Sequence, residues 1–228
     1  MTYSNSPLVD YIKLSPNHSG QRKHIIDTIS IHCVVGQLSI QGIGSCFDES
    51  KEKCSSNYGI DYVGKIGLFV EEKNRSWCTS SASNDNRAIT IEVASDKTHP
   101  YKITDAAYKS LINLLVDICQ RNNIKELKWQ GDKSLIGQVD KQNMTVHRWF
   151  ANKSCPGDYL YNLHGQIAKE VNEILNPAPK ELTSVNDIVW ELNHRGIISD
   201  TALWLKKLEE DQNAYWLARK TCNYLMNM

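Results

Sequence analysis

The chain has 228 residues, of which 26 are basic and 26 are acidic, so its formal net charge is zero. This length accommodates one domain of roughly 150 to 180 residues with a small appendage, and it excludes two large domains. The balanced charge excludes a global electrostatic field that would attract nucleic acid or an anionic membrane, and we expect neither as a partner.

The N-terminal sequence has no recognisable export signal. It lacks a positively charged start followed by an apolar stretch, and no run of about 18 apolar residues occurs in the chain. We therefore expect synthesis in a cytoplasm. The seven cysteines have no regular spacing, which argues against a disulfide framework and for free thiols, at least one of them a candidate metal ligand.

Strand signals come first along the chain. Residues 25–35 are β-branched and apolar enough for a buried strand. Residues 60–70 contain a hairpin-like turn with Gly64 at its tip, and residues 88–94 form a further strand.

Helix signals follow the strands. Apolar residues recur every 3.6 positions over 104–122, which predicts a long amphipathic helix capped by Thr104, and residues 159–175 are a second candidate. Because helices and strands are mixed without a strict βαβ order, the sequence predicts an α/β fold in which helices flank a central mixed sheet.

A proline-containing segment separates the last part of the chain. Pro177 and Pro179 stop a helix and stiffen the connection, so we place a linker at 177–181, between a larger domain over 1–176 and a smaller unit over 182–228. The sequence of the smaller unit predicts three short helices, the first capped by Ser184. It contains no set of residues that resembles a catalytic site, and its predicted core is built on Trp190, Trp204, Trp216 and Leu217.

One nine-residue segment combines an imidazole, an ammonium and a thiol, from His147, Lys153 and Cys155. Zinc accepts both nitrogen and thiolate ligands, and the following Pro-Gly pair can bend the chain so that both ligands face one point. His32, in the first predicted strand, can supply a third ligand. Three protein ligands would leave a fourth position for water, as in catalytic zinc sites. The alternative for His32 is a satisfied histidine in the core.

Several motifs, taken in their order along the chain, resemble the type 2 N-acetylmuramoyl-L-alanine amidases, which include phage endolysins, bacterial autolysins and peptidoglycan recognition proteins. The resemblance covers about residues 20 to 175. Its motifs are Ile31-His32-Cys33, Asn57-Tyr58-Gly59-Ile60 with Gly64, Trp77, Ile89-Thr90-Ile91-Glu92, and the segment from His147 to Cys155-Pro156-Gly157.

The resemblance implies roles for five residues. His32, His147 and Cys155 bind Zn²⁺, Glu92 handles protons, and Lys153 stabilises the oxyanion of the tetrahedral intermediate. The alternatives are an outward-pointing strand residue for Glu92 and a solvated loop residue for Lys153.

The sequence departs from the family pattern ahead of the hairpin. Some relatives use a tyrosine there as a catalytic group, whereas this chain has Ser56 or Asn57 at that position and Tyr58 comes two residues late. We therefore favour Glu92 as the proton handler.

Other polar and aromatic residues are candidates for the substrate cleft. We predict substrate contacts at Asn57, Tyr58, Trp77 and Arg87, with a structural role in the hairpin as the alternative for Asn57. Cys33 should face away from the preceding proposed ligand, His32, because side chains alternate along a strand.

The resemblance implies hydrolysis of the amide bond between N-acetylmuramic acid and L-alanine in bacterial peptidoglycan. Without an export signal, such an enzyme would be a phage or prophage endolysin, made in the host cytoplasm and released to the cell wall through a holin. We expect the C-terminal unit to hold the enzyme on the wall, with homodimerisation through its apolar helices as the competing hypothesis.

Two other functions are alternatives to hydrolysis. A non-catalytic peptidoglycan-binding protein is disfavoured because Cys155, the third ligand, is present. A regulatory zinc protein that binds nucleic acid is disfavoured because the chain has no basic patch.

Overall fold

The computed structural model of the protein describes residues 3–177 and 181–226. The chain forms two compact units, Met1–Asn176 and Pro177–Met228. Residues 178–180 of the predicted linker lie outside the described residues. Within the described ranges, no helix is both long and apolar enough to cross a bilayer.

The described part of the larger unit contains eight strands in two sheets. They are β1 (Tyr11–Ile12), β2 (His18–Gln21), β3 (Thr28–Val35), β4 (Tyr58–Ile60), β5 (Ile66–Leu68), β6 (Asn74–Ser76), β7 (Ala88–Ser95) and β8 (Met144–Thr145). The main sheet has the order β1-β5-β4-β7-β3-β8, and β2 pairs with β6 in a small antiparallel sheet. In the main sheet, β4 and β5 form the predicted antiparallel hairpin, and the other neighbouring pairs are parallel.

Four α-helices accompany these strands in the described residues of this unit: α1 (Ile40–Ser45), α2 (Ala82–Arg87), α3 (Asp105–Arg121) and α4 (Gly157–Leu175). The predicted cap of α3 is confirmed, because the Thr104 hydroxyl accepts a hydrogen bond from the Ala107 amide at 3.1 Å. The predicted mixed sheet flanked by helices is therefore confirmed.

The main sheet has one apolar and one polar face at its centre. Ile29 and Ile31 of β3 pack into the core that α3 and α4 also form. Because side chains alternate along a strand, the intervening Ser30 and His32 lie on the opposite face, and Glu92 of β7 is paired with His32 in the parallel register. The candidate functional residues therefore share the polar face.

The C-terminal unit consists of α5 (Val185–His194), α6 (Thr201–Glu210) and α7 (Gln212–Met226) in its described residues. Ser184 caps α5, as the sequence predicts. The apolar stripe of α5, with Ile188 and Leu192, fills the core of this unit.

The predicted tryptophan core of this unit is wrong. Trp190 is 62% exposed, Trp216 is 48% exposed and Leu217 is 70% exposed, whereas only Trp204 packs against the core. Trp190 lies two positions from the buried Ile188, and about 200° of helical rotation places it on the opposite side of α5.

Candidate metal centre

Three chain segments converge at the candidate metal centre. His32 comes from β3, His147 begins a short 3₁₀ turn (His147–Trp149) after β8, and Cys155 lies just before α4. One ligand atom from each residue lies within 4.8 Å of the others. The structure thus brings together the three residues that the sequence predicts as ligands.

Hydrogen bonds orient the His32 ring. The ring is fully buried, and its Nε2 lies 3.1 Å from the hydroxyl of Ser30. That hydroxyl donates its hydrogen to the Thr145 carbonyl at 3.2 Å, so it accepts from Nε2–H. The Nδ1 atom therefore carries the free lone pair. Burial also holds the pKa of His32 well below its usual value, which keeps the ring neutral.

The free Nδ1 of His32 lies 3.3 Å from the Cys155 sulfur. Zinc–nitrogen bonds of about 2.1 Å and zinc–sulfur bonds of about 2.3 Å in a tetrahedral site separate the two ligand atoms by about 3.5 Å. The observed separation therefore fits zinc ligands.

His147 is partly buried and lies at the open side of the centre. Its Nε2 is 3.1 Å from the hydroxyl of Ser80. Burial, and then the positive charge of Lys153, lower the pKa of His147, so this ring is also neutral near pH 7. The exposed Lys153 is thus electrostatically coupled to a candidate ligand.

Glu92 lies beside the three candidate ligands. Its Oε1 atom is 3.9 Å from His32 Nδ1 and 3.8 Å from the Cys78 sulfur. Its Oε2 atom is buried and has no hydrogen-bond partner among the described residues. Burial, and then the nearby Cys33 thiol, raise the pKa of Glu92 to about 8. A carboxyl group with a pKa near neutrality can both accept and return a proton.

Cys33 contacts the centre from the helix side of the sheet. It packs in the core with α3 and α4, as strand alternation predicts. A hydrogen bond between the two thiols nevertheless lowers the pKa of Cys33 and raises that of Cys155. Cys33 therefore lies on the face opposite His32, as the sequence predicts, and its thiol interacts with that of Cys155.

Two contacts fix the segment between His147 and Cys155. The Trp149 ring stacks on Trp129 with a centroid distance of 5.1 Å and an interplanar angle of 4°. The guanidinium of Arg148 donates to the Asp158 carboxylate at 2.9 Å and to the Ser154 carbonyl at 2.6 Å. This packing limits the movement of the segment and so fixes the spacing of its two candidate ligands.

Comparison with known proteins assigns the family. The sequence model of the N-acetylmuramoyl-L-alanine amidase family matches residues 21–158, which include all three candidate ligands and Glu92. The chain belongs to this family. No curated protein sequence matches it.

Solved structures share the amidase fold at low sequence identity. A mutant endolysin from Bacillus subtilis is 15% identical, with a TM-score of 0.51 over 72% of this chain and 99% of that chain. A selenomethionine derivative of AmpD is 18% identical, with a TM-score of 0.53 over 74% and 99%. A Drosophila peptidoglycan recognition protein, PGRP-SD, is 16% identical, with a TM-score of 0.51 over 69% and 94%.

Two residues that the sequence predicts as substrate contacts of the amidase are fully buried. The Asn57 side chain accepts from Arg22 at 2.9 Å and donates to the Val70 carbonyl at 3.1 Å, so it supports the hairpin region, as the alternative proposed. The Tyr58 hydroxyl donates to Glu72 at 2.7 Å. Both side chains have no exposed surface, so the predicted substrate contacts are wrong.

The other two predicted contacts differ from each other. Arg87 forms two hydrogen bonds to Asp27, at 3.0 and 2.5 Å, and is the last residue of α2, directly before β7 begins and five positions before Glu92. It is therefore at the far end of β7, and the prediction for it is wrong. The half-buried Trp77 donates its indole N–H to Ser19 at 2.6 Å and precedes Cys78, so its substrate contact stays a prediction.

Sequence reasoning missed three residues at the centre. Ser30 lies two positions before His32, so strand alternation alone could have identified it as a neighbour on the same face. Cys78 and Ser80 follow β6 in an irregular segment, and Ser80 has a positive φ of 62°. No periodic signal marks such a segment, so these two residues could not be found in the same way.

Proposed function

We propose that the protein is a zinc-dependent N-acetylmuramoyl-L-alanine amidase that cleaves bacterial peptidoglycan and acts as a phage or prophage endolysin. The observation that carries this proposal is the convergence of His32, His147 and Cys155 beside the partly buried side chain of Glu92. Membership of the amidase family supports the reaction, and the similarity in fold to an endolysin and to a peptidoglycan recognition protein supports peptidoglycan as the substrate.

His32, His147 and Cys155 would hold the metal. A zinc ion held by these three residues would supply Lewis acidity, which would polarise the scissile carbonyl and acidify the attacking water. The neutral imidazoles have their lone pairs available without loss of a proton, and Ser30 keeps the His32 ring in the ligand tautomer.

Glu92 and Lys153 would carry out the remaining steps. Glu92 accepts the proton of the attacking water and delivers it to the departing alanine nitrogen, a role that its pKa of about 8 favours. Lys153 stabilises the negative charge that develops on the carbonyl oxygen of the lactyl group. The effect of its positive charge on the pKa of His147 supports this role.

Digestion of purified peptidoglycan tests the reaction. We expect the wild-type protein, containing about one zinc ion, to release stem peptides that begin with L-alanine, as identified by mass spectrometry. Glu92→Gln should lower kcat by about 10² to 10⁴ while zinc content is unchanged, because a proton handler is lost and the three ligands remain. Cys46→Ser is the matched control, because Cys46 belongs to neither group of candidate metal ligands.

The same digestion can contradict the proposal. A zinc-loaded wild-type protein that binds walls and releases no peptides would support the non-catalytic binding function instead. A protein that cleaves walls fully after removal of all metal would contradict the zinc requirement.

We further propose that the C-terminal unit binds the cell wall. Its exposed Trp190 ring stacks on His194 at a centroid distance of 4.9 Å, and the Arg219 guanidinium lies 5.2 Å from the Trp216 ring centroid. Exposed aromatic rings that are held in place offer flat apolar surfaces for sugar rings, and attachment to an insoluble substrate raises the effective concentration of the enzyme.

Co-sedimentation with purified walls tests this role. Trp190→Ala with Trp216→Ala should reduce the pelleted fraction, whereas Leu203→Ala, which removes an exposed aliphatic side chain from the same unit, should not. Unchanged pelleting together with a concentration-dependent dimer in light scattering would favour the homodimer hypothesis.

A further inference from the structure

A second group of metal-ligating side chains adjoins the proposed zinc ligands. One ligand atom each from His32, Cys78 and Glu92 lies within 4.8 Å of the others. Imidazole, thiolate and carboxylate are all zinc ligands. The group shares His32 with the first set, but its other two members are different.

Cys78 is held rigidly at this position. Its side chain is buried, and its backbone N–H donates to the Asp85 carboxylate at 3.1 Å. The same carboxylate accepts from the Thr79 hydroxyl at 2.6 Å, so the turn that presents the thiol is tied to α2. The Cys78 sulfur lies 3.8 Å from Glu92 Oε1. The thiol and the carboxyl group are therefore presented together.

A second observation points to a ligand at this position. Glu92 Oε2 is buried without a hydrogen-bond partner among the described residues, which is costly unless another group satisfies it. The Nδ1 atom of His32 lies 3.9 Å from Glu92 Oε1, and the same Nδ1 lies 3.3 Å from Cys155. A single nitrogen lone pair thus faces both groups, and it can bind only one ion at a time.

We propose that His32, Cys78 and Glu92 form an alternative binding site for a thiophilic divalent cation such as Zn²⁺ or Cd²⁺. Binding releases the protons of the Cys78 thiol and of the Glu92 carboxyl group to solvent, and the ion is held by one nitrogen, one sulfur and one oxygen. An ion at this site occupies both the shared His32 and the carboxylate that the amidase needs. The alternative site therefore holds the enzyme in an inactive form, and this consequence rests on the proposed function.

Cobalt titration of the metal-free full-length chain tests the alternative site. The readouts are retained metal and the thiolate-to-cobalt charge-transfer absorption, neither of which depends on activity. Cys155→Ala removes the thiolate of the first set, yet we expect this variant to retain about one equivalent of Co²⁺ with a charge-transfer band from Cys78. Adding Cys78→Ser should abolish the band and lower the retained cobalt at least about tenfold, since the only remaining thiolate ligand is lost.

Control variants separate this effect from general damage. Cys46→Ser in the Cys155→Ala background should keep the band, because Cys46 lies outside both groups. If Cys155→Ala fails to give a wild-type circular dichroism spectrum, the more conservative Cys155→Ser takes its place, with the same comparison against an added Cys78→Ser.

The outcomes distinguish the two proposals. A wild-type chain that binds cobalt, with a folded Cys155→Ala variant that binds none, would overturn the alternative site and leave the proposed zinc amidase intact. Retention of the band after both thiols are replaced would also overturn it. A wild-type chain that binds no cobalt or zinc at all would overturn the proposed zinc function itself.

Discussion

Replacing Tyr58 by phenylalanine should destabilise the protein and leave its chemistry intact. The Tyr58 hydroxyl accepts from the Ser6 amide at 2.8 Å and donates to the fully buried Glu72 carboxylate at 2.7 Å. A hydrogen bond to a charged group contributes about 1.5 to 3 kcal/mol, and a buried amide left unsatisfied costs about 1 to 3 kcal/mol. Because local relaxation recovers part of this sum, we expect a loss of about 3 kcal/mol.

Urea unfolding and peptidoglycan digestion measure the two effects separately. With an m-value of about 2 kcal/mol/M, the midpoint of the larger unit should fall by about 1.5 M while m is unchanged. The kcat/KM of the folded variant should equal that of the wild type. Tyr62→Phe is the control, because Tyr62 is 44% exposed and should change neither quantity. A tenfold or larger fall in kcat/KM for Tyr58→Phe, with an unchanged midpoint, would refute the structural role and restore the substrate contact.

Three further variants test other parts of the structure. Arg121→Met should lower the free energy of unfolding, measured in urea, by about 3 kcal/mol. Arg121 lies 2.6 Å from the buried Glu72 carboxylate, and its loss leaves that charge without its counter-ion. A loss below about 1 kcal/mol would contradict this assignment. Lys153→Ala should lower kcat about 10²-fold with little change in KM, measured on peptidoglycan, and a change in KM alone would contradict an oxyanion role. Burial lowers the pKa of His164 from 6.5 to about 4, so the folded state binds fewer protons than the unfolded state between these values. The contribution of neutral His164 to the free energy of unfolding is fully present above pH 6.5, and about 3 kcal/mol of it is lost as the pH falls towards 4. His164→Gln should therefore flatten the dependence of the free energy of unfolding on pH in this range. An unchanged slope would contradict the assignment.

The parts of the site that could be predicted from the sequence lie next to strong local signals. His32 lies in a β-branched strand, and His147 and Cys155 flank a short segment that ends in a Pro-Gly turn. The structure brings these three side chains together. The long helix after Thr104 can be predicted equally well, because a capping residue directly precedes its 3.6-residue apolar stripe.

The wrong predictions share a different cause. The polar side chains of Asn57 and Tyr58 suggest residues that line a cleft. Both are instead buried, and they form hydrogen bonds with residues distant in the sequence, Arg22 and Glu72. The hydrogen bonds that make such burial tolerable do not leave a local pattern. The prediction for Trp190 is wrong for the opposite reason, because an apolar residue type suggests the core, whereas the side chain is exposed. The apolar stripe of α5 places aliphatic residues in the core instead.

The polar face of β3 and β7 explains the position of the candidate metal centre in the fold. Burying polar side chains on a sheet is tolerable only when their hydrogen bonds are made. Ser30 donates to Thr145, and the Thr90 hydroxyl lies 2.8 Å from that of Ser76. Among the described residues of this face, His32 Nδ1 has the Cys155 sulfur as its neighbour at 3.3 Å, Glu92 Oε2 has no hydrogen-bond partner, and the two residues are paired in register. The candidate ligand nitrogen therefore lies beside a carboxyl group with an unpartnered oxygen, and a cation that accepts electron pairs from both residues would satisfy that oxygen.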